Sequence, residues 1–261
     1  MELKEIVEEV LPVSEGAGRV LLRYFGRRLH VERKGLRDIV TDADLSSEEY
    51  IRGELEKRFP DIPFFGEESG GAERGLRWVV DPLDGTKNFA RGLDVFAVSI
   101  ALVRDDHPVA GVIHIPTKDL TVWAYEGGGT YAGDRRLRLD DGLPLSESFI
   151  ATGFPHGNPE LVDPYTEGLR RVLKRAMAVR RLGSAAYDLA MVAYGLFDAF
   201  WEFGLAPWDT AAGAVIVREA GAILTEIDGS PWNINSPTIF TGKRVPYREM
   251  LGIFTGEIQV D

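Results

Sequence analysis

The sequence predicts a mixed α/β (α+β) chain built in two halves. Residues 2–25 and 45–59 carry apolar side chains at helical spacing. From Val95 to about Arg138 the period shortens to that of strands, with turn residues between them. Beyond residue 145, short apolar strands alternate with helical stretches. The halves are taken as 1–145, helices plus an antiparallel meander, and 146–261, an α/β unit. At 261 residues they form one continuous compact unit with a shared core.

In the first helix Leu3, Ile6, Val7, Val10, Ala17, Val20, Leu21 and Tyr24 recur at helical spacing. Pro12, lacking the N–H for the helical ladder, is expected to kink or divide it. His30 to Arg37 is charged and reads as strand and loop. Asp38-Ile39-Val40-Thr41-Asp42-Ala43-Asp44 then leads into a second helix, Leu45 to Phe59, stopped by Pro60 and Pro63. Pro63 to Ser69 is a short apolar strand running into Glu67 and Glu68, and Gly70-Gly71 opens a surface loop. Trp78-Val79-Val80 is a short buried strand that Pro82 is expected to end. The meander consists of Phe96–Val103, Val109–Ile115, Leu120–Tyr125 and Gly129–Ala132, separated by Asp-Asp-His-Pro, Pro-Thr-Lys-Asp and Gly-Gly turns. In the second half, strands Phe149–Phe154, Ala178–Leu182, Phe197–Phe203 and Ala222–Ile227 alternate with helices Pro159–Ala176, Ser184–Gly195 and Asp209–Ala220. A last strand, Thr238–Thr241, precedes a short C-terminal helix. The aromatic run Phe197, Phe200, Trp201 and Phe203 reads as core packing rather than a base-stacking platform.

The charge balance narrows the chemistry. With 41 acidic against 30 basic residues the net charge is −11, which argues against a nucleic-acid surface, since that needs a basic stripe. It suits a site that concentrates cations. No run reaches membrane-spanning length, and the first residues read as charged helix rather than a secretion signal, so no membrane partner and a cytoplasmic location are expected. Zero cysteines exclude a disulfide framework, a thiolate zinc site and a thiol nucleophile. The histidines His30, His107, His114 and His156 show no metal-ligand spacing.

The acids carry the signal. Asp81-Pro82-Leu83-Asp84-Gly85-Thr86 ends a strand on two carboxylates three residues apart, followed by a turn with a hydroxyl. Asp44, Glu67-Glu68 and Asp209 also stand where strands end or helices open. Taken singly, Asp209 reads as a helix cap and Asp81 with Asp84 as an ordinary turn. Taken together, four acidic clusters beside Gly-Thr suit a phosphoryl site holding two hard cations bridged by carboxylates.

Gly66-Glu67-Glu68-Ser69, Asp81 to Phe89 and Trp208-Asp209-Thr210-Ala211-Ala212-Gly213, joined by Asp38-Ile39-Val40-Thr41 with Asp44 and by Gly183-Ser184-Ala185-Ala186, strongly resemble the inositol monophosphatase family over nearly the whole chain. The resemblance implies a layered αβαβα sandwich of the inositol monophosphatase/sugar phosphatase type. It also implies a lithium-sensitive phosphomonoesterase using two or three Mg²⁺ ions per site, and a homodimer.

By position, the resemblance makes Glu67, Asp81 and the Leu83 carbonyl ligands of one metal, with Asp81 bridging to a second held by Asp84 and Asp209. Glu67 and Thr86 would activate water, with Asp44 hydrogen-bonded to the Thr86 hydroxyl. Asp84, Gly85, Thr86, Gly183, Ser184, Glu202 and Asp209 would meet the substrate. Glu202 matches the position that binds a sugar or inositol hydroxyl; otherwise it is an exposed strand-end acid. Glu68 is read as supporting or solvated. Arg181 offers a cation at the pocket edge for a second phosphate or a carboxylate, and is equally read as a surface arginine. The leading reading is hydrolysis of myo-inositol 1-phosphate or a similar polyol phosphate. Alternatives are fructose 1,6-bisphosphate or 3′-phosphoadenosine 5′-phosphate as substrate, and a protein that binds transcription complexes.

Overall fold

A computed structural model of the protein describes residues 1–27, 30–33, 39–155 and 158–258. Along the chain run α1 (Leu3–Tyr24), β1 (Val31–Arg33), β2 (Ile39–Thr41), α2 (Asp42–Arg58), β3 (Phe64–Gly66), β4 (Gly70–Gly71), β5 (Leu76–Asp84) and α3 (Thr86–Ala90). The meander follows as β6 (Ala97–Arg104), β7 (His107–Ile115), β8 (Leu120–Tyr125), β9 (Gly129–Ala132) and β10 (Arg135–Leu137). The remainder is β11 (Phe149–Thr152), α4 (Val162–Leu173), β12 (Ala178–Arg180), α5 (Ala185–Tyr194), β13 (Ala199–Phe203), α6 (Pro207–Ala220), β14 (Ile223–Thr225), β15 (Thr238–Gly242) and α7 (Arg244–Thr255).

These elements stack in five layers. Strands β10-β9-β8-β7-β6-β5-β3-β4 form an eight-stranded sheet in that order, and β12-β11-β13-β15-β14 a five-stranded one. In the large sheet β3 and β5 are parallel and the other neighbours antiparallel. One face of the large sheet packs α1 and α2, with Val7, Val10, Leu21, Ile51 and Leu55 against Val80, Ile100 and Val112. Its other face, through Val79, Ala101 and Ile113, meets α5 and α6, which also pack Phe200 and Ile239 of the small sheet. The far face of the small sheet buries Ile150, Trp201 and Phe240 against Tyr165, Val172, Met250 and Ile253 of α4 and α7. The alternation of neighbours along a strand, Val79 to one core and Val80 to the other, is the two-residue period of a sheet covered on both faces. Helices α5 and α6 lie between two sheets, which is why their sequences are apolar nearly all round. Among the described residues no helix is long and apolar enough to cross a membrane.

Several boundaries differ from the sequence reading. Helix α1 runs unbroken through Pro12. Pro12 and Glu8 are both exposed, so the proline falls on the solvent side of the helix, and the buried face of Val7, Val10, Val13 and Ala17 continues across it. Helix α2 begins three residues early, at Asp42, because Thr41 caps it: its hydroxyl accepts from the Ala43 N–H at 3.2 Å. The expected loop at Gly70-Gly71 pairs briefly with β3 instead.

A further difference shapes the site. Strand β5 does not stop at Pro82 but continues to Asp84. Asp81 pairs with Ser99 and Asp84 with Ala97, so three steps on β5 oppose two on β6. That is a bulge, a sheet environment that tolerates the missing proline N–H inside a strand paired on both sides. In a regular strand, residues three apart point to opposite faces. The bulge removes this alternation and lets Asp81 and Asp84 reach the same place.

Candidate active site

A cleft of about 530 Å³ opens where the ends of β3 and β5 meet the starts of α3, α5 and α6. Glu67, Asp81, Leu83, Asp84 and Asp209 line it, as do Gly85, Thr86, Arg181, Gly183, Ser184 and Glu202. Asp44 does not; it is fully buried behind Thr86. His156 lies outside the described residues. His114 is buried instead in the α1 layer, where its Nδ1 lies 2.9 Å from the Thr121 hydroxyl and burial pushes its pKa down to about 4.

Each acid is aimed by a backbone or hydroxyl donor. Asp81 Oδ1 accepts the Leu83 N–H at 2.9 Å within the bulge. Asp84 Oδ2 accepts the Ser184 hydroxyl and the Ala186 N–H, both at 2.6 Å, which ties β5 to the first turn of α5. Asp209 stands in the third position of α6 rather than at its cap, since Pro207 starts the helix one turn earlier. Its Oδ2 folds back to accept the Ala206 N–H at 2.7 Å. Gly85, at φ 95°, turns the chain from β5 into α3; a Cβ there would fall 2.9 Å from the Val95 carbonyl oxygen.

One oxygen from each of Asp81, Asp84 and Asp209 lies within 4.8 Å of the others. Burial, then the nearby Glu67, Asp84 and Asp209, push Asp81 well above the ordinary carboxylate range. Burial and the Asp84 charge do the same to Asp209, against the opposing Ala206 N–H. Burial also raises Asp84, with the Ser184 hydroxyl and the α5 amides pulling the other way. A cluster of hard oxygen donors that repel one another fits a divalent cation, which would take up the same oxygens.

Beside the cluster, the Thr86 hydroxyl has two acceptors in reach, Asp44 Oδ1 at 2.9 Å and the Leu83 carbonyl at 3.0 Å. Asp44 Oδ2 accepts the Thr41 hydroxyl at 2.6 Å and the Thr41 N–H at 2.9 Å. Its burial raises its pKa, and these bonds oppose the rise.

Glu202, on β13, also lines the cleft and is only 9% exposed, so it is no surface acid. Burial, followed by Asp188, Asp209 and Asp84, holds it well above the carboxylate range, with the Arg181 charge opposing. Arg181 is exposed and lies across the Phe154 ring at 5.1 Å.

The whole chain matches a known pattern. The model of the inositol monophosphatase family covers residues 2–254. The chain belongs to the inositol monophosphatase family. Members are phosphoric monoester hydrolases, and this chain is one of them. It is 43% identical over 256 residues to an inositol-1-monophosphatase of Mesorhizobium japonicum, covering 96% of each chain. A fructose-1,6-bisphosphatase/inositol-1-monophosphatase of Aquifex aeolicus is 37% identical over 237 residues, with 89% of each chain covered. Among solved structures, the extragenic suppressor protein suhB from Bartonella henselae superposes with a TM-score of 0.92 at 38% identity, covering 97% of this chain and 100% of that one.

The sequence reading missed two buried acids of this inositol monophosphatase family site. Asp188, in the first turn of α5, is 1% exposed, and burial and the Asp84 charge raise its pKa, with Arg181 opposing. Its signal was a lone acid within an apolar, alanine-rich helix. Glu48 follows Asp44 by one helical turn, and that spacing put it on the same face.

The raised carboxyl pKa values fix a sign for the metal-free protein. Above the ordinary aspartate value of 3.8, the folded site binds protons that the unfolded chain has released. Unfolding free energy therefore falls as pH rises through that window. Chelator-treated protein is expected to melt at a lower temperature at about pH 8 than at about pH 5.5, and Asp209→Asn is expected to flatten that dependence. A melting temperature that climbs with pH, or a variant slope equal to wild type, contradicts the assignment.

Proposed function

We propose that the protein is a Mg²⁺-dependent phosphatase of myo-inositol 1-phosphate or a closely similar polyol phosphate. The supporting observation is the lining of one cleft: the clustered acids Asp81, Asp84 and Asp209, which suit a cation, share it with the buried carboxyl of Glu202 and the guanidinium of Arg181. Glu67, Asp81, the Leu83 carbonyl, Asp84 and Asp209 would hold two or three Mg²⁺ ions. Bound Mg²⁺ supplies a Lewis acid at the phosphoryl oxygens and acidifies water.

The chain's own groups do the rest. Thr86, with its proton directed to Asp44, keeps hydroxyl lone pairs for a proton arriving from water. Asp44, whose affinity for a proton is raised by burial, terminates that relay. Ser184 and Ala186 fix the orientation of the Asp84 carboxylate by donating to its Oδ2. The starts of α3 and α5, at Gly85, Thr86 and Ser184, bring the positive ends of two helices to the ester. Glu202 takes a polyol hydroxyl. A lithium-sensitive homodimer belongs to the same proposal and rests there on the family resemblance, and a cytoplasmic location rests on the sequence composition.

A second reading, hydrolysis of a sugar bisphosphate, is favoured by Arg181 at the cleft lip and by the name of the Aquifex relative. Phosphate release from a panel of esters under Mg²⁺, including myo-inositol 1-phosphate and fructose 1,6-bisphosphate, ranks the two. Arg181→Ala is expected to lower kcat/KM for the bisphosphate relative to the monophosphate by roughly ten- to a hundredfold, since a charge-assisted bond contributes about 1.5–3 kcal/mol. An unchanged ratio removes Arg181 from substrate selection.

The relay gives its own test. Thr86→Ala is expected to lower kcat by about 10²–10⁴-fold with KM nearly unchanged, and Thr86→Ser to restore most of the rate. A rise in KM with kcat intact would make Thr86 a phosphate anchor alone.

A further inference from the structure

The segment that carries Glu67 is held from two sides, and only one of them is the sheet. The Glu67 N–H donates to the Val80 carbonyl at 3.1 Å, part of the β3–β5 pairing. The next N–H, that of Glu68, donates to Glu48 Oε2 of α2 at 2.9 Å. Both peptide units flanking the Glu67 Cα are thereby fixed, and with them the direction of its Cα–Cβ bond. Glu48 is 5% exposed, an uncommon position for a glutamate unless something requires it.

Two neighbours are built around that carboxylate. At Gly66 a Cβ would fall 2.4 Å from Glu48 Oε2 and 2.8 Å from its Cδ, so the glycine makes the approach possible. Arg52, one turn further along α2, places Nη2 3.8 Å from Glu48 Oε1. Its guanidinium also covers the Phe64 ring at 4.6 Å and hydrogen-bonds the Ser69 hydroxyl. Glu48 and Arg52 together grip the run from Phe64 to Ser69, with Glu67 at its middle.

We propose that Glu48 is a positioning residue: through the Glu68 amide it holds Glu67 in the orientation that binds Mg²⁺. The inference rests on the metal-dependent reading above. Partners that orient a metal ligand typically change affinity or activity by about 10–100-fold when removed. Glu48→Gln keeps an acceptor oxygen for the Glu68 N–H; Glu48→Ala removes it. Glu48→Met removes it at similar volume and serves if the alanine variant does not fold.

The test is calorimetric titration of metal-stripped protein with Mg²⁺, paired with kinetics on myo-inositol 1-phosphate. Expected is a loss of Mg²⁺ affinity by about 10–100-fold in Glu48→Ala or Glu48→Met, with near wild-type affinity in Glu48→Gln. At saturating Mg²⁺ the ester KM should stay within about threefold of wild type, with the remaining defect in kcat. Wild-type Mg²⁺ affinity in a folded Glu48→Ala or Glu48→Met variant overturns the proposal. So does a Glu48→Gln variant as weak as these, since charge rather than the hydrogen bond would then be at work. Wild-type protein that binds no Mg²⁺ would overturn this proposal together with the metal-dependent reading, whereas variant-specific results bear on Glu48 alone.

Discussion

Carboxylates brought within 4.8 Å of one another and shielded from water repel strongly, and this constraint organises the molecule. As anions, Asp81, Asp84 and Asp209 are not stable together at such spacing; they must share protons or share a cation. The fold accepts that penalty because it supplies partial compensation from every side. The bulge in β5 turns the Leu83 N–H onto Asp81, the first turn of α5 presents Ser184 and Ala186 to Asp84, and the first turn of α6 gives Asp209 the Ala206 N–H. These donors weaken the repulsion without cancelling it, as the raised pKa values of all three acids record. What is left over is affinity for a divalent ion.

Helix α2 illustrates how a packing element becomes part of a site along its length. Its C-terminal turns bury Ile51 and Leu55 in the outer core. Its N-terminal turns bury Asp44, Ser47 and Glu48 instead, and each finds a partner on the segments that carry the site: Thr86 of α3, the Pro82 carbonyl of β5 and the Glu68 amide just past β3. Hydrophobic burial fixes one end of the helix, and the hydrogen bonds of the other end are held in register by it. The second charged group, Glu202 with Asp188 and Arg181, follows the same logic. There the arginine charge opposes the rise that burial imposes on both acids.

How much of this was legible in the sequence depended on whether the signal was local. The meander strands were readable because turn residues and alternating apolar positions lie within a few residues of each other, and β8 and β9 fall where those signals put them. The acids of the cluster were readable because they sit in short motifs at strand ends. The continuation of β5 past Pro82 was not, since a bulge is defined by the partner strand, here the pairings of Ser99 and Ala97. The early start of α2 was hidden by reading Asp38 to Asp44 as the lead into a helix at Leu45, although Thr41, three residues before Asp44, was the capping signal. Asp188 and Glu48 were missed because burial of an acid depends on which layer covers its helix. Glu202 was placed in the cleft by family likeness alone; its buried position in β13 is a tertiary fact.

The claim that the cluster holds protons until a cation replaces them is open to one direct measurement. Mg²⁺ binding to metal-stripped protein is titrated calorimetrically at near-neutral pH in buffers of differing ionisation enthalpy, which separates proton release from binding heat. Net proton release on binding, shrinking as the pH is raised, is the result expected from carboxyl groups whose pKa values are lifted by burial and mutual repulsion. Binding with no proton release at any pH would mean that the acids are already ionised in the empty site, and would contradict the account.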